Sequence, residues 1–250
     1  MNSERIPLAT IDDFHRHPRR LGWKYEYLEG CLLASPAQYS MAASLTVSPR
    51  SVARECQLLP VDEGSGAELA ELFITAFAGS VEFCGWPLNR IERHARDWTA
   101  DFFKGKRGRP LAMSRLAVAG GRIIGAALFR SQDDAPMLDL LFVHPHWQRR
   151  GIATALVSRA VNTLAGAGVP ILLSRYDLAN AASRIWHRSF GFVDLPGWLT
   201  ARHLRSHAKH ELYRRELMGD LADDERERLA AEIDRWNRVL AEVFGDVAGP

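Results

Sequence analysis

Met137-Leu-Asp-Leu-Leu-Phe-Val143-His-Pro-His-Trp-Gln148-Arg-Arg-Gly151-Ile-Ala153 reads as a strand that runs through a basic turn straight into a helix. The first amide groups of a helix have no partners within it, and they carry the positive end of the helix dipole. Gly151 permits a close approach of backbone to ligand, and Ala153 is small enough to do the same. With Arg149 and Arg150 alongside, the turn has the chemistry of a cradle for a pyrophosphate.

Working outward, Gly151–Ala167 carries the helix onward, and Ile171–Arg175 follows Pro170 as a short buried strand. Asn180–Phe190 reads as a second helix, closed by Gly191. Upstream, Arg115–Ala119 and Arg122–Arg130 are strands joined by Gly120-Gly121, a strong hairpin signal. Leu69, Leu72, Phe73, Ala76 and Phe77 recur at helical spacing, as do Ile91, Ala95, Trp98 and Phe102. Arg54–Leu59, Phe192–Asp194 and Glu211–Leu217 are read as further strands. Hairpins followed by strand–helix–strand predict an α+β (mixed α/β) fold with a mixed, mostly antiparallel central sheet flanked by helices.

Gln148-Arg-Arg-Gly151-Ile-Ala153 resembles the acyl-CoA loop, Gln/Arg-x-x-Gly-x-Gly/Ala, of the GCN5-related N-acetyltransferase (GNAT) superfamily. Val143-His-Pro145, the strand after Pro170, and Asn180 through Gly191-Phe192 extend the resemblance over roughly residues 53–218. It implies acetyl-CoA as co-substrate and a sheet whose fourth and fifth strands splay apart. Main-chain groups of Leu141, Phe142 and Val143 would then meet the pantetheine arm. The amides of Gln148, Arg149, Arg150, Gly151, Ile152 and Ala153 would hold the pyrophosphate, with Asn180 and Ser183 beside the thiol-bearing arm. The implied reaction is attack of an amine on the thioester. Asp139 stands where many relatives carry an acidic residue, so the resemblance makes it the candidate base. His187 replaces the tyrosine that commonly protonates the leaving thiolate, and an imidazole can do that work near neutral pH. Phe83 and Trp86 fall where the family walls its acceptor pocket, although aromatic residues at this spacing also serve a core.

The remaining composition narrows the class. The chain has 250 residues and a formal charge of +2, too balanced to predict nucleic-acid binding. Three cysteines, Cys31, Cys56 and Cys84, form neither a disulfide framework nor a CxxC metal pair. No apolar run reaches the roughly 18–20 residues of a membrane span. The opening MNSERIPLATIDDF lacks a signal-peptide pattern, so a cytoplasmic protein is expected. His15/His17, His144/His146 and His203/His207/His210 have metal-like spacing without a convergent carboxylate or cysteine set, and no metal is expected. Gly105-Lys-Arg-Gly108 is not a P-loop and reads as a solvated turn. The basic stretch from Arg202 to His210 reads as an exposed loop or helix face.

Three segments are expected: an N-terminal extension (1–52), an acyltransferase-like domain (53–218) and an amphipathic helix (219–250). Trp23 through Pro36 resembles the opening hairpin of Uma2-like proteins, a likeness that spans residues 8–47 and leaves no room for that fold's catalytic residues before the next segment. In the last segment Leu229, Ile233, Trp236, Leu240 and Val243 form an apolar stripe that must be covered. Docking on the acyltransferase domain is the expectation and a homodimer the alternative. The expected partners are acyl-CoA and a small amine or a peptide or protein amine. The competing functions are a non-catalytic acyl-CoA-binding regulatory module and a toxin-like acyltransferase acting on aminoacyl-tRNA.

Overall fold

The computed structural model describes residues 3–52 and 57–245. In chain order the first elements are β1 (Glu4–Pro7), α1 (Ile11–Arg16), β2 (Trp23–Leu28), β3 (Cys31–Pro36), β4 (Ser40–Thr46) and β5 (Gln57–Pro60). Then come α2 (Gly66–Phe77), α3 (Leu88–Phe103), β6 (Arg115–Ala119), β7 (Arg122–Gln132), β8 (Ala135–Val143) and α4 (Ile152–Gly166). The chain continues with β9 (Ile171–Asp177), α5 (Ala181–Phe190), β10 (Val193–Leu195), α6 (Trp198–Met218) and α7 (Asp223–Phe244). Among the described residues, no helix is long and apolar enough to cross a membrane.

Contacts divide the chain into two units, one of residues 1–41, 176–184 and 195–250, the other of residues 42–175 and 185–194. The second unit is built on a seven-stranded sheet of order β10-β4-β9-β8-β7-β6-β5. From β5 to β8 each neighbour is antiparallel, whereas β8 and β9 run parallel. Gly120 and Gly121, at φ 58° and 75°, make the β6–β7 turn that their sequence predicts. On one face of the sheet, Leu69, Phe73, Trp98 and Phe102 of α2 and α3 pack against Ala126, Leu128 and Phe142. Gly125 takes the other face, where a Cβ would press on Ile152 of α4, because neighbouring strand residues point to opposite sides. Residues 42–50 are integral to this unit. The Val47 N–H donates to the Pro170 carbonyl, and Asn162 of α4 exchanges two hydrogen bonds with the Arg50 backbone.

The first unit holds a three-stranded sheet of order β1-β3-β2 with α1, α6 and α7. α6 carries His203, His207 and His210 at helical spacing, and their Nε2 atoms meet the backbone of residues 17–22. His203 accepts from the Gly22 N–H at 3.0 Å, while His207 and His210 lie 3.0 and 3.3 Å from the Arg19 and His17 carbonyls. α7 lies against α6, burying Leu229 and Trp236, with Arg215–Glu225 and Arg226–Glu216 pairs between the two helices.

One expectation is corrected. Glu211–Leu217 is the end of α6 and not a strand: Glu211 pairs with Arg214 and Arg215 one turn on, and no glycine or proline interrupts the chain before Gly219 closes the helix. The stripe of α7 is covered by α6, which lies within the 53–218 segment on which docking is expected, and Val243 is left exposed. The 105–108 turn exposes Lys106 and Arg107, as expected of a solvated turn, while a side chain at Gly108 would collide with the Ser131 carbonyl. The strand expected from Arg54 begins at Gln57, and Arg54–Cys56 lie outside the described residues.

Candidate active site

The ladder between β8 and β9 pairs Met137 with Leu173 and Leu138 with Ser174, and ends there. Asp139 to Val143 of β8 lie beyond the last register pair with β9. A bulge coincides with the end of the ladder. Leu128 and Phe129 of β7 pair with Leu140 and Leu138, leaving Asp139 as the extra residue. A bulge of this kind bends the strand and re-aims a side chain. Leu141 is half-buried, while Phe142 and Val143 bury their side chains in the unit's core. Gln148 Nε2 donates to the Val143 carbonyl at 3.1 Å, tying the end of the strand to the loop that follows.

That loop passes through a short 3-10 turn, Pro145–Trp147, and enters α4 at Gly151. Arg149 and Gly151 both adopt positive φ, 62° and 77°. Gly151 is the N-cap of α4 and supplies no side chain to its orphan amides; the first helical bond runs from Ala155 N–H to the Gly151 carbonyl. No protein atom lies within 4 Å of where a Gly151 Cβ would be, so the space over the helix start is open. Arg149 and Arg150 are exposed beside it, Arg150 stacked on the Trp147 ring. Exposed amides, the dipole of a 15-residue helix and two guanidiniums together fit a pyrophosphate.

Asp139 sits in a buried ion pair. Its side chain is 1% exposed, and Oδ1 accepts from Arg130 Nε at 2.7 Å and from Arg107 Nη2 at 3.4 Å. Oδ2 is buried without a hydrogen-bond partner among the described residues. His187 is also buried, packed between Trp186 and Phe192, with Nε2 2.9 Å from Ser174 Oγ. Ser174 is the last residue of β9 in register with β8, which brings the dyad to the end of that ladder. Asn180 and Ser183 belong to the other unit, where Asn180 Oδ1 accepts the Ser183 N–H and caps the start of α5.

Phe83 and Trp86 are half-buried and belong to a ring cluster with His94 and Phe73, at centroid separations of 5.2–5.9 Å. Arg90 lies over Trp86 and Arg107 over Trp98. Burial, reinforced by the positive charge of Arg107, pushes the His94 imidazole below its ordinary range, so it is neutral at pH 7. Arg107, Arg130, His94 and Ser174 were not singled out by sequence. Each draws its place from a partner that local sequence does not reveal.

The model of the acetyltransferase (GNAT) family matches residues 69–192. Among solved structures, a GCN5-related N-acetyltransferase from Sphaerobacter thermophilus is 14% identical, with a TM-score of 0.48. That match covers 78% of this chain and only 57% of the Sphaerobacter protein. The ribosomal-protein-S18-alanine N-acetyltransferase of Escherichia coli is 19% identical over 56% of this chain and 79% of its own, with a TM-score of 0.43. The PaiA N-acetyltransferase of Thermoplasma acidophilum, in complex with coenzyme A, is 15% identical over 56% and 90%, with a TM-score of 0.47. No curated protein matches the sequence.

Proposed function

We propose, with residues 69–192 belonging to the acetyltransferase (GNAT) family as the premise, that the protein transfers an acetyl or similar acyl group from acyl-CoA to a primary amine. The observation that carries this reading is the end of the β8–β9 ladder at Leu138–Ser174, followed downstream by the uncapped start of α4 at Gly151. The first leaves strand backbone to pair with a pantetheine arm, and the second offers amides to a pyrophosphate. Gln148 contributes by holding the loop to Val143. The roles of Asn180 and Ser183 toward the thiol-bearing arm rest on the resemblance.

In the reaction, the amine nitrogen attacks the thioester carbonyl, the C–N bond forms and the C–S bond breaks. Asp139 receives the proton shed by the amine at Oδ2, directly or through water, while Arg130 fixes Oδ1. The leaving thiolate takes a proton from His187 by way of Ser174, which stands at the end of the β8–β9 ladder. Positioning and backbone polarisation of the carbonyl supply the larger share of the acceleration. Phe83 and Trp86 form a wall on the acceptor side.

Calorimetric titration with acetyl-CoA, followed by a thiol-release screen against amino acids, polyamines, aminoglycosides and peptides, tests the reading. Saturable binding together with thiol release that depends on an amine is expected; absence of binding would overturn it. A second reading, a non-catalytic acyl-CoA-binding module, is favoured by the burial of His187 at the usual position of a tyrosine acid. Binding without release by any amine would select it.

A further inference from the structure

Asp139 and Arg107 place an anion and a cation side by side, and they differ in how firmly each is held. The carboxylate is 1% exposed, fixed through Oδ1 by Arg130, and keeps Oδ2 buried without a partner among the described residues. The Arg107 guanidinium is 41% exposed, makes one long bond of 3.4 Å to the same Oδ1, and rests on the Trp98 ring. A buried carboxylate oxygen with no donor carries a desolvation cost that a ligand N–H would relieve. An exposed guanidinium with donors to spare is the side chain best suited to a carboxylate.

We propose, resting on the acyltransferase reading, that the acceptor is an α-amino acid with a flat apolar side chain, bound as its zwitterion. In such a molecule ammonium and carboxylate are separated by one carbon, the mirror in charge of Asp139 beside Arg107. The acceptor's carboxylate draws Arg107 off Oδ1, and the ammonium takes its place against the Asp139 carboxylate, to which its proton is to go. The half-buried rings of Phe83, Trp86 and His94 face a flat side chain with aromatic edges and surfaces, and His94, neutral at pH 7, adds no charge to them.

Charge around this wall argues against polycations. Residues 79–110 carry seven cationic side chains against four acidic ones, and Arg96 and Lys106 already take up Glu92 and Asp101. A polyamine or aminoglycoside would meet net repulsion there, whereas an acceptor with its own carboxylate would not.

Matched acceptors isolate the carboxylate. The full chain is assayed for thiol release from acetyl-CoA with phenylalanine and phenethylamine, with tryptophan and tryptamine, and with spermidine. The expected result is a kcat/KM at least about tenfold higher for the amino acid of each pair, and collapse of that ratio in Arg107→Gln. Parity, preference for the decarboxylated amine or for spermidine, or no release with either amino acid would overturn the inference. Acetyl-CoA titration of the same preparation separates the two failures. Retained binding leaves the acyltransferase reading in place, and lost binding removes both.

Discussion

Oδ1 of Asp139 lies 2.7 Å from Nε of Arg130, and both side chains are buried, at 1% and 12% exposure. The bulge in β8 creates this pairing, because it inserts Asp139 between two residues that partner consecutive positions of β7. Removing the charge of either partner alone strands the other in a site closed to water, which typically costs about 3–5 kcal/mol. Asp139→Asn is therefore expected to lower the urea midpoint as well as turnover, and the double variant Asp139→Asn/Arg130→Gln should recover part of the stability. If Asp139 takes the amine's proton, turnover stays depressed by roughly 10²–10⁴-fold in the double variant while acetyl-CoA affinity holds. Recovery of turnover along with stability would show that the carboxylate serves the fold alone.

The α4 entrance separates local strain from ligand loss. At φ 77° Gly151 occupies left-handed space, so any other residue there costs roughly 1–2 kcal/mol of conformational strain. No protein atom stands near its Cβ, so Gly151→Val adds no clash within the protein and its side chain projects into the open space over the amides. Acetyl-CoA affinity of the folded variant should fall by at least about tenfold, a loss that strain common to the free and bound protein does not cause. Arg150→Ala, which removes one exposed charge stacked on Trp147, should weaken binding less. Equal affinities for wild type and a folded Gly151→Val would place the pyrophosphate elsewhere.

How much of this was legible in the sequence depends on the range of the contacts involved. The Gln148–Ala153 turn could be read because its requirements are local: a positive-φ glycine, small neighbours and a helix start. The β8–α4–β9 order could be read for the same reason. The bulge could not, since a strand pattern from Met137 to Val143 is the same whether or not one residue is skipped by β7, and only the bulge brings Asp139 to Arg130. Glu211-Leu-Tyr-Arg-Arg alternates weakly enough to pass for a strand. Its helical state is fixed by one-turn ion pairs and by α7, all outside that pattern. The place of β4 between β9 and β10 is a long-range pairing that turn-forming residues around it conceal.

That placement gives a third prediction. β4 fills the seven-stranded sheet between β9 and β10, and Asn162 exchanges hydrogen bonds with Arg50 just beyond it. Arg50 also covers the Phe190 ring at 4.2 Å. A chain beginning at residue 53 loses the strand, these bonds and that cover, and leaves β9 and β10 with unpaired edges. It is expected to be aggregated or without cooperative unfolding by circular dichroism, while the full chain unfolds cooperatively. A soluble, cooperatively folded chain beginning at residue 53 would refute the integral role of β4.

The last prediction concerns acid stability of the first unit. Burial, with the neighbouring His207, lowers His203 to about 4. His210 is also lowered to about 4, chiefly by burial and then by Arg19, against the opposing His17 carbonyl and Glu211. The Tyr39 ring packs beside His203 at 4.9 Å. Both histidines thus bind a proton less readily in the folded chain than in the unfolded one, where the value is near 6.5. Their stabilising contribution is complete above about pH 6.5, declines as pH falls, and is spent below about 4. The mechanism is direct for His203: its Nε2 accepts the Gly22 N–H, and a proton on that nitrogen abolishes the bond. Because both rings are partly exposed, the loss between pH 7 and 5 is about 1 kcal/mol for each after allowance for solvent screening. Urea titrations at the two pH values measure it. His203→Gln, which keeps a side-chain acceptor within reach of Gly22 but cannot titrate, should flatten about half of the dependence. A wild-type midpoint unchanged between pH 7 and 5, or a glutamine variant with the full dependence, would show that other groups govern the acid transition.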